Sequence, residues 1–225
     1  MLFIYIRHGE PIYNPDGLTE LGKRQAEDVA RHLEVEGVDK IFSSTSNRAI
    51  ETSLPTAKRL NKEITYLDFA NEKHVWENLT VNNAAGKMWL FQSQKTIELF
   101  HTQELIDLGY KWYEHPQFNN GPFKDEVIRI QQESDRFFAD LGYLNLGNGK
   151  YKVINENDDR VVMFAHQGFG YAFLSLLLNI PYPIFCTHFE LGHVEITLIE
   201  FKNENGYSYP KVLTLSSNNH LFNHQ

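Results

Sequence analysis

Two short segments, Leu2–Ile6 and Val161–Ala165, carry no charge and consist of apolar residues, many of them β-branched or aromatic. An apolar run of this length without polar alternation reads as a strand buried on both faces, which calls for a parallel strand covered by helices. The rest of the chain fits that demand. Thr19 can cap a helix whose Ala26, Val29, Ala30 and Leu33 form one apolar stripe, and Gly37 ends it. Lys40–Ser43 and Ile64–Phe69 read as strands on either side of a helix over Arg48–Leu60. Glu126–Leu141 and Phe169–Leu178 read as later helices, and Val194–Phe201 and Val212–Leu215 as closing strands. This alternation predicts a three-layer α/β/α fold with a mostly parallel central sheet and helices on both faces. The polar stretch Asn145–Asp159 reads as a loop. Residues from about 78 to 125 break the alternation and concentrate aromatic side chains (Trp89, Phe91, Phe100, Trp112 and Phe118 among them), so they read as an inserted, partly helical cap.

Composition narrows the function. Acidic residues outnumber basic ones, 29 to 21, for a formal charge of −8. Such a surface repels nucleic acid and anionic lipid, so neither is an expected partner, and any bound anion must be held by a local basic site. The single cysteine, Cys186, excludes an intrachain disulfide and suits a reducing compartment. Leu2–Ile6 is too short for a secretory apolar region and lacks a basic segment before it. A cytoplasmic enzyme is the expectation.

In sheets of this kind, ligands bind beyond the carboxyl ends of the strands. The first apolar run leads into Arg7-His8-Gly9 and the second into His166-Gln167-Gly168. Gly9 and Gly168 would let backbone N–H groups approach a ligand closely. A third strand leads through the serine-rich Ser43–Ser53 into a helix whose first turn carries Arg48, a setting suited to phosphate. Each feature alone has a plainer reading, as the first polar residue of a loop or a solvated arginine. Their coincidence on one sheet edge points to a site.

In combination these residues resemble the histidine phosphatase superfamily, the phosphoglycerate mutase-like family. The family's Arg-His-Gly fingerprint is Arg7-His8-Gly9, followed by an asparagine at Asn14. Its Leu-Thr-x-x-Gly-x-x-Gln-Ala element spans Leu18 to Ala26, with Thr19, Gly22 and Gln25 in place. Its Ser-Ser, Arg-Ala and Thr element is Ser43-Ser44, Arg48-Ala49 and Thr52, and the late histidine is His166. Asn218-Asn219-His220-Leu221 looks like the family's tail. The resemblance implies that residues 1–225 form one phosphoglycerate mutase-like domain, with the insertion at about 78–125.

It also implies a phosphomonoester hydrolase. His8 would be the nucleophile, forming a phosphohistidine that water hydrolyses. Arg7, Arg48 and a cationic His166 would surround the phosphoryl group, with Asn14 as an added donor and Gln167 and Gly168 on the substrate side. No metal or cofactor is expected, because basic side chains neutralise the phosphoryl oxygens. The proton donor is expected to be Glu72, since Asn71-Glu72-Lys73-His74 resembles the Asn-Glu-Arg-His context of the family's mutases, with Glu77 in reserve. In many phosphatases of the family the acid precedes a Gly-x-Trp-Glu-Gly element, but that spacing, counted back from Trp76-Glu77-Asn78, lands on Ala70. A useful acid must keep its proton near neutrality, which partial burial can arrange.

Two other functions stay open. A mutase needs further basic residues, yet no arginine occurs between Arg59 and Arg129, and lysine does not reproduce a bidentate fork. A catalytically inactive phospho-ligand binder is the other alternative. A zinc reading of His188, Glu190 and His193 lacks the His-Glu-x-x-His pattern, and His220 and His224 read as exposed residues near the end. The expected partner is a small-molecule phosphate ester. The inserted aromatics could form a lid that selects ring-bearing leaving groups, a satellite core, or a homodimer surface.

Overall fold

The structure, a computed structural model, describes residues 1–84 and 86–221. Strands β1 (Leu2–Arg7), β2 (Lys40–Ser44), β3 (Ile64–Leu67), β4 (Arg160–Ala165), β5 (Ile196–Glu200) and β6 (Lys211–Ser217) form one sheet in the order β6-β5-β1-β4-β2-β3. β1, β4, β2 and β3 run parallel, while β5 pairs antiparallel with both β1 and β6. The long helices are α1 (Glu20–Glu36), α2 (Asn47–Leu60), α6 (Phe123–Asp140) and α7 (Gln167–Leu177). The short ones are α3 (Glu72–Asn78), α4 (Gln94–Phe100), α5 (Gln103–Leu108) and α8 (Tyr182–His188).

Alternate residues of a strand point to opposite faces, and both faces of β1 are buried. Ile4 and Ile6 join Val162 and Phe164 in a core completed by Val29 and Leu33 of α1 and Ala57 of α2. Phe3 and Tyr5 face the other way, with Phe3 5.3 Å from Phe138 of α6 and Tyr5 6.1 Å from Phe173 of α7. Two covered faces explain why β1 and β4 are apolar without interruption.

The aromatics of residues 78–125 divide between two roles. Phe100, Trp112, Phe118 and Phe123 are buried, and Trp112 lies 5.3 Å from both Phe118 and Tyr182, in a core continuous with the main one. Trp89 instead meets Trp76 at 4.8 Å and Phe91 at 5.5 Å, in a row of rings that continues to Tyr171. The stretch read as a loop over Asn145–Asp159 contains part of a small antiparallel sheet made by Tyr143–Asn145, Tyr151–Val153 and Tyr207–Ser208. Its strands are too short for a visible alternation, but Tyr143 and Tyr151 are buried against Phe201 at 4.9 and 5.5 Å. Among the described residues, no helix is long and apolar enough to cross a membrane.

Candidate active site

Strand register brings the two histidines together. Arg7 is paired with Ala165, and the His8 N–H donates to the Ala165 carbonyl at 2.9 Å, so the next residue on each strand falls side by side. The rings of His8 and His166 have their centroids 5.1 Å apart. β2 lies on the other side of β4, with Ser43 opposite Phe164, and this delivers Ser44 and Ser46 to His166. Their hydroxyls lie 2.8 and 2.9 Å from His166 Nε2.

His8 is 1% exposed. Its Nδ1 lies 2.7 Å from the Gly9 carbonyl, which can only accept, so Nδ1 carries the proton. Nε2 therefore keeps its lone pair, and Arg48 Nε donates to it at 3.3 Å. Burial, with the guanidinium charges of Arg48 and Arg7, pushes His8 well below the usual imidazole value. His166 is pushed down in the same way, by burial first and then by His8, Arg48 and Arg7. Without an anion in the site, both rings are neutral.

Arg48 is the hub. Its Nη1 donates to Asp16 Oδ1 at 2.7 Å and its Nη2 to Glu72 Oε2 at 2.9 Å. Burial alone would lower its pKa, but the bonds and charges of Asp16 and Glu72 raise it. Glu72, in the first turn of α3, also accepts the Gly168 N–H on Oε1 at 2.9 Å. Its Oε2 stands 3.6 Å from His166 Nδ1, a buried atom with no hydrogen-bond partner among the described residues. Arg7 donates through Nη1 to the Leu191 carbonyl at 2.8 Å, and its buried Nε has no partner among the described residues.

The spacing around Thr19 has a mechanical meaning: it clamps the loop that follows His8. The Thr19 hydroxyl donates to Glu10 at 2.6 Å, Gln25 accepts the Glu10 N–H at 2.8 Å, and Thr52 accepts the Gly9 N–H at 3.0 Å. A Cβ on Gly9 would lie 2.7 Å from the Gly22 carbonyl oxygen. The expectation for Gly9 is corrected accordingly: helix α1 requires this glycine, and its N–H serves Thr52 and no ligand. Gly168 does turn its N–H into the site, and a Cβ there would lie 2.6 Å from the ring of Trp89.

Tyr5 holds the other histidine in place. Its hydroxyl donates to the His166 carbonyl at 2.6 Å and accepts the His166 N–H at 3.2 Å. Tyr5→Phe leaves the buried His166 N–H without its partner, while the carbonyl keeps the Gly170 N–H at 3.0 Å, and is expected to cost about 2 kcal/mol in urea unfolding. A loss within experimental error would show that His166 is held by its serines alone.

The structure brings together His8, Arg7, Arg48, Glu72, His166 and Gly168, and it separates others. Asn14 is exposed in the turn between the short strands Pro11–Tyr13 and Asp16–Leu18, outside the lining of the main cavity. Glu77 is exposed on α3 away from Glu72, because five residues advance a helix by more than a third of a turn past the starting face. Gln167 donates to Glu190 and, at 3.3 Å, to the Leu191 carbonyl, lining a neighbouring cavity. Asp16 and His193 carry no sequence signal for a site. The His193 ring lies 5.6 Å from that of His8, its Nε2 is buried without a partner among the described residues, and burial beside Arg7 pushes its pKa down to about 4. Val194, at φ 52° a rare conformation for a β-branched residue, follows it and donates its N–H to the Arg7 carbonyl at 2.9 Å. His188 lies beside His101, with ring centroids 5.2 Å apart, while His193 lies beside His8. His220 is half-buried against His32 at 5.6 Å, and His224 lies outside the described residues.

Among the described residues, one group of donors has metal-like spacing: His8, Glu72 and His166 each offer an atom within 4.8 Å of the others. Arg48 already occupies that space with a positive charge, bonded to two of the three. The electrostatics therefore suit an anion better than a cation. A cavity of about 750 Å³ opens onto Arg48 and Glu72, bordered by Tyr13, Asp16, Trp76 and Trp89.

The neutral histidines also predict how stability responds to pH. The unfolded chain takes up protons below the ordinary imidazole value of 6.5, whereas the folded one does so only at lower pH. Their contribution is complete above that value and is lost as pH falls, by up to about 2 kcal/mol for each buried ring between pH 7 and pH 5. The urea midpoint should drop over this range, and less steeply in His166→Gln. Equal slopes for the two proteins would contradict a neutral His166.

Residues 3–103 match the profile of the histidine phosphatase superfamily (branch 1), a span that contains Arg7, His8, Arg48 and Glu72. No curated protein sequence matches the chain. Similar solved structures include phosphoserine phosphatase from Entamoeba histolytica in complex with 3-phosphoglyceric acid, with a TM-score of 0.63 and 19% identity over 98% of each chain. The mycobacterial glucosyl-3-phosphoglycerate phosphatase aligns at 0.62 and 18% identity, covering 96% of this chain and 99% of that one. The alpha-ribazole phosphatase of Shigella flexneri aligns at 0.62 and 17% identity over 96% of each chain. The profile match over residues 3–103 points to the histidine phosphatase superfamily, and the whole-chain likeness in fold to these phosphatases agrees with the paired histidines on adjacent strands.

Proposed function

We propose that the chain is a metal-independent phosphomonoester hydrolase working through a phosphohistidine on His8. The observation that carries this reading is the setting of His8, with Nδ1 against the Gly9 carbonyl, Nε2 beside Arg48 Nε and the ring 5.1 Å from that of His166. In the first step, Nε2 attacks phosphorus in line, the ester P–O bond breaks, and Glu72 gives its proton to the departing alcohol oxygen. In the second, water attacks phosphorus, Glu72 takes its proton, and the P–N bond breaks to restore the lone pair.

The phosphoryl oxygens would take over donors now used by carboxylates. Glu72 occupies the Gly168 N–H and one arm of Arg48, and Asp16 holds the other arm. His166 Nδ1 and Arg7 Nε, both buried and unpartnered, are suited to complete the cradle. A phosphoryl dianion would offset the positive field that keeps His166 neutral, which favours its cationic form in the complex. A mutase reading finds less support, since Lys73 is the single lysine bordering the main cavity. The relatives in fold named above act, by name, as phosphatases, which supports hydrolysis.

Rapid quenching with a ³²P-labelled phosphomonoester in the presence of chelator tests the proposal. An acid-labile, base-stable label on the protein, formed and lost within turnover, is expected. Hydrolysis without such a label, or hydrolysis abolished by the chelator, would refute it.

A further inference from the structure

We propose that the site takes phosphomonoesters of uncharged, ring-bearing alcohols, nucleoside-like in carrying ring nitrogen and oxygen atoms, in preference to phosphorylated carboxylates. This rests on the phosphatase reading and concerns only the leaving group.

Charge speaks against a second anion. The charged side chains bordering the cavity are Asp16, Glu72, Arg48 and Lys73. Arg48 already serves both carboxylates and, in the proposed reaction, the phosphoryl group. Lys87, nearby, sits 5.7 Å over the Trp76 ring and donates to the Glu77 carbonyl at 3.3 Å. A carboxylate on the leaving group would therefore find the exposed Lys73, a solvated ion pair worth little, and would face repulsion from Asp16 and Glu72.

The walls favour a ring. Trp89 presses on Gly168 so closely that a Cβ there would lie 2.6 Å from the indole, and the Gly168 N–H is a donor of the phosphoryl cradle. The aromatic wall thus begins at the residue beside which the ester oxygen must leave. Trp76 extends it, meeting Trp89 edge to face at 4.8 Å, and Tyr13 also borders the cavity. At the rim, the exposed side-chain amides of Asn47 and Gln92 make no hydrogen bond among the described residues, leaving donors and acceptors for ring heteroatoms. A volume of about 750 Å³ far exceeds the need of a phosphate group.

The test compares kcat/KM for adenosine 5′-monophosphate, ribose 5-phosphate, phosphoserine and 3-phosphoglycerate, whose departing alkoxides are similar. The nucleotide should exceed the other three by roughly 10-fold or more. Trp76→Ala should erase that advantage by lowering kcat/KM for the nucleotide far more than for ribose 5-phosphate, and Gln92→Ala, at the exposed rim, should lower the nucleotide alone by a smaller factor. Equal or better use of ribose 5-phosphate or phosphoserine, or equal losses on both esters in Trp76→Ala, overturns the inference while leaving the phosphatase reading intact. Failure to hydrolyse any ester overturns that reading and the inference with it.

Discussion

His8→Ala is expected to lower turnover of every phosphomonoester by about 10⁴-fold or more and to leave no phosphorylated protein. The size of the effect follows from the site having one available nucleophilic nitrogen. His166 Nε2 is bound to two serine hydroxyls, and its Nδ1 faces a carboxylate. His193 has a free Nε2 but is placed against the His8 ring, where it does not occupy the position facing Arg48. The variant should stay folded, because the backbone bond from residue 8 to Ala165 and the clamp on Glu10 do not involve the imidazole. Measured hydrolysis within about 10-fold of the wild type, with normal circular dichroism, would remove His8 from the mechanism.

Glu72→Gln is expected to produce the second largest loss, about 10²–10⁴-fold for alkyl esters, because an alkoxide needs a proton as it leaves. An activated aryl ester such as p-nitrophenyl phosphate leaves without that help, so its first step should fall by less than about 10-fold. The water of the second step still needs a base, so this substrate should show a burst of nitrophenol and an accumulated phosphoenzyme. The amide can still accept the Gly168 N–H, and Asp16 still holds Arg48, which keeps the site assembled. Equal losses for alkyl and aryl esters would indicate that Glu72 acts only by positioning Arg48. Glu77→Gln, on an exposed face of α3, serves as the control and should change neither.

Much of the architecture was legible because it depends on local pattern. The uninterrupted apolar runs of β1 and β4, the Thr19 cap and the stripe through Ala26 and Leu33 each report burial within a few residues of chain. The small sheet around Tyr143 and Tyr151 was not legible, since three-residue strands carry less signal than the glycine-rich turn between them. The site divides along similar lines. Residues at strand ends, Arg7, His8 and His166, could be placed on one edge from sequence order and the rule for parallel sheets. Asp16 could not, because it reaches Arg48 across 32 residues through the geometry of a surface hairpin.

What the sequence determined alone was the strands of the central sheet, the edge on which they end, and the chemical types gathered there. Those follow from short-range burial and from the fixed sense of a parallel sheet. Only the tertiary structure decided that Glu72 faces Arg48 while Glu77 faces solvent, that Asn14 stands outside the cavity, and that His193 covers His8. Such choices depend on helix rotation, loop path and strand register summed over distant segments, and no local pattern of residues encodes them.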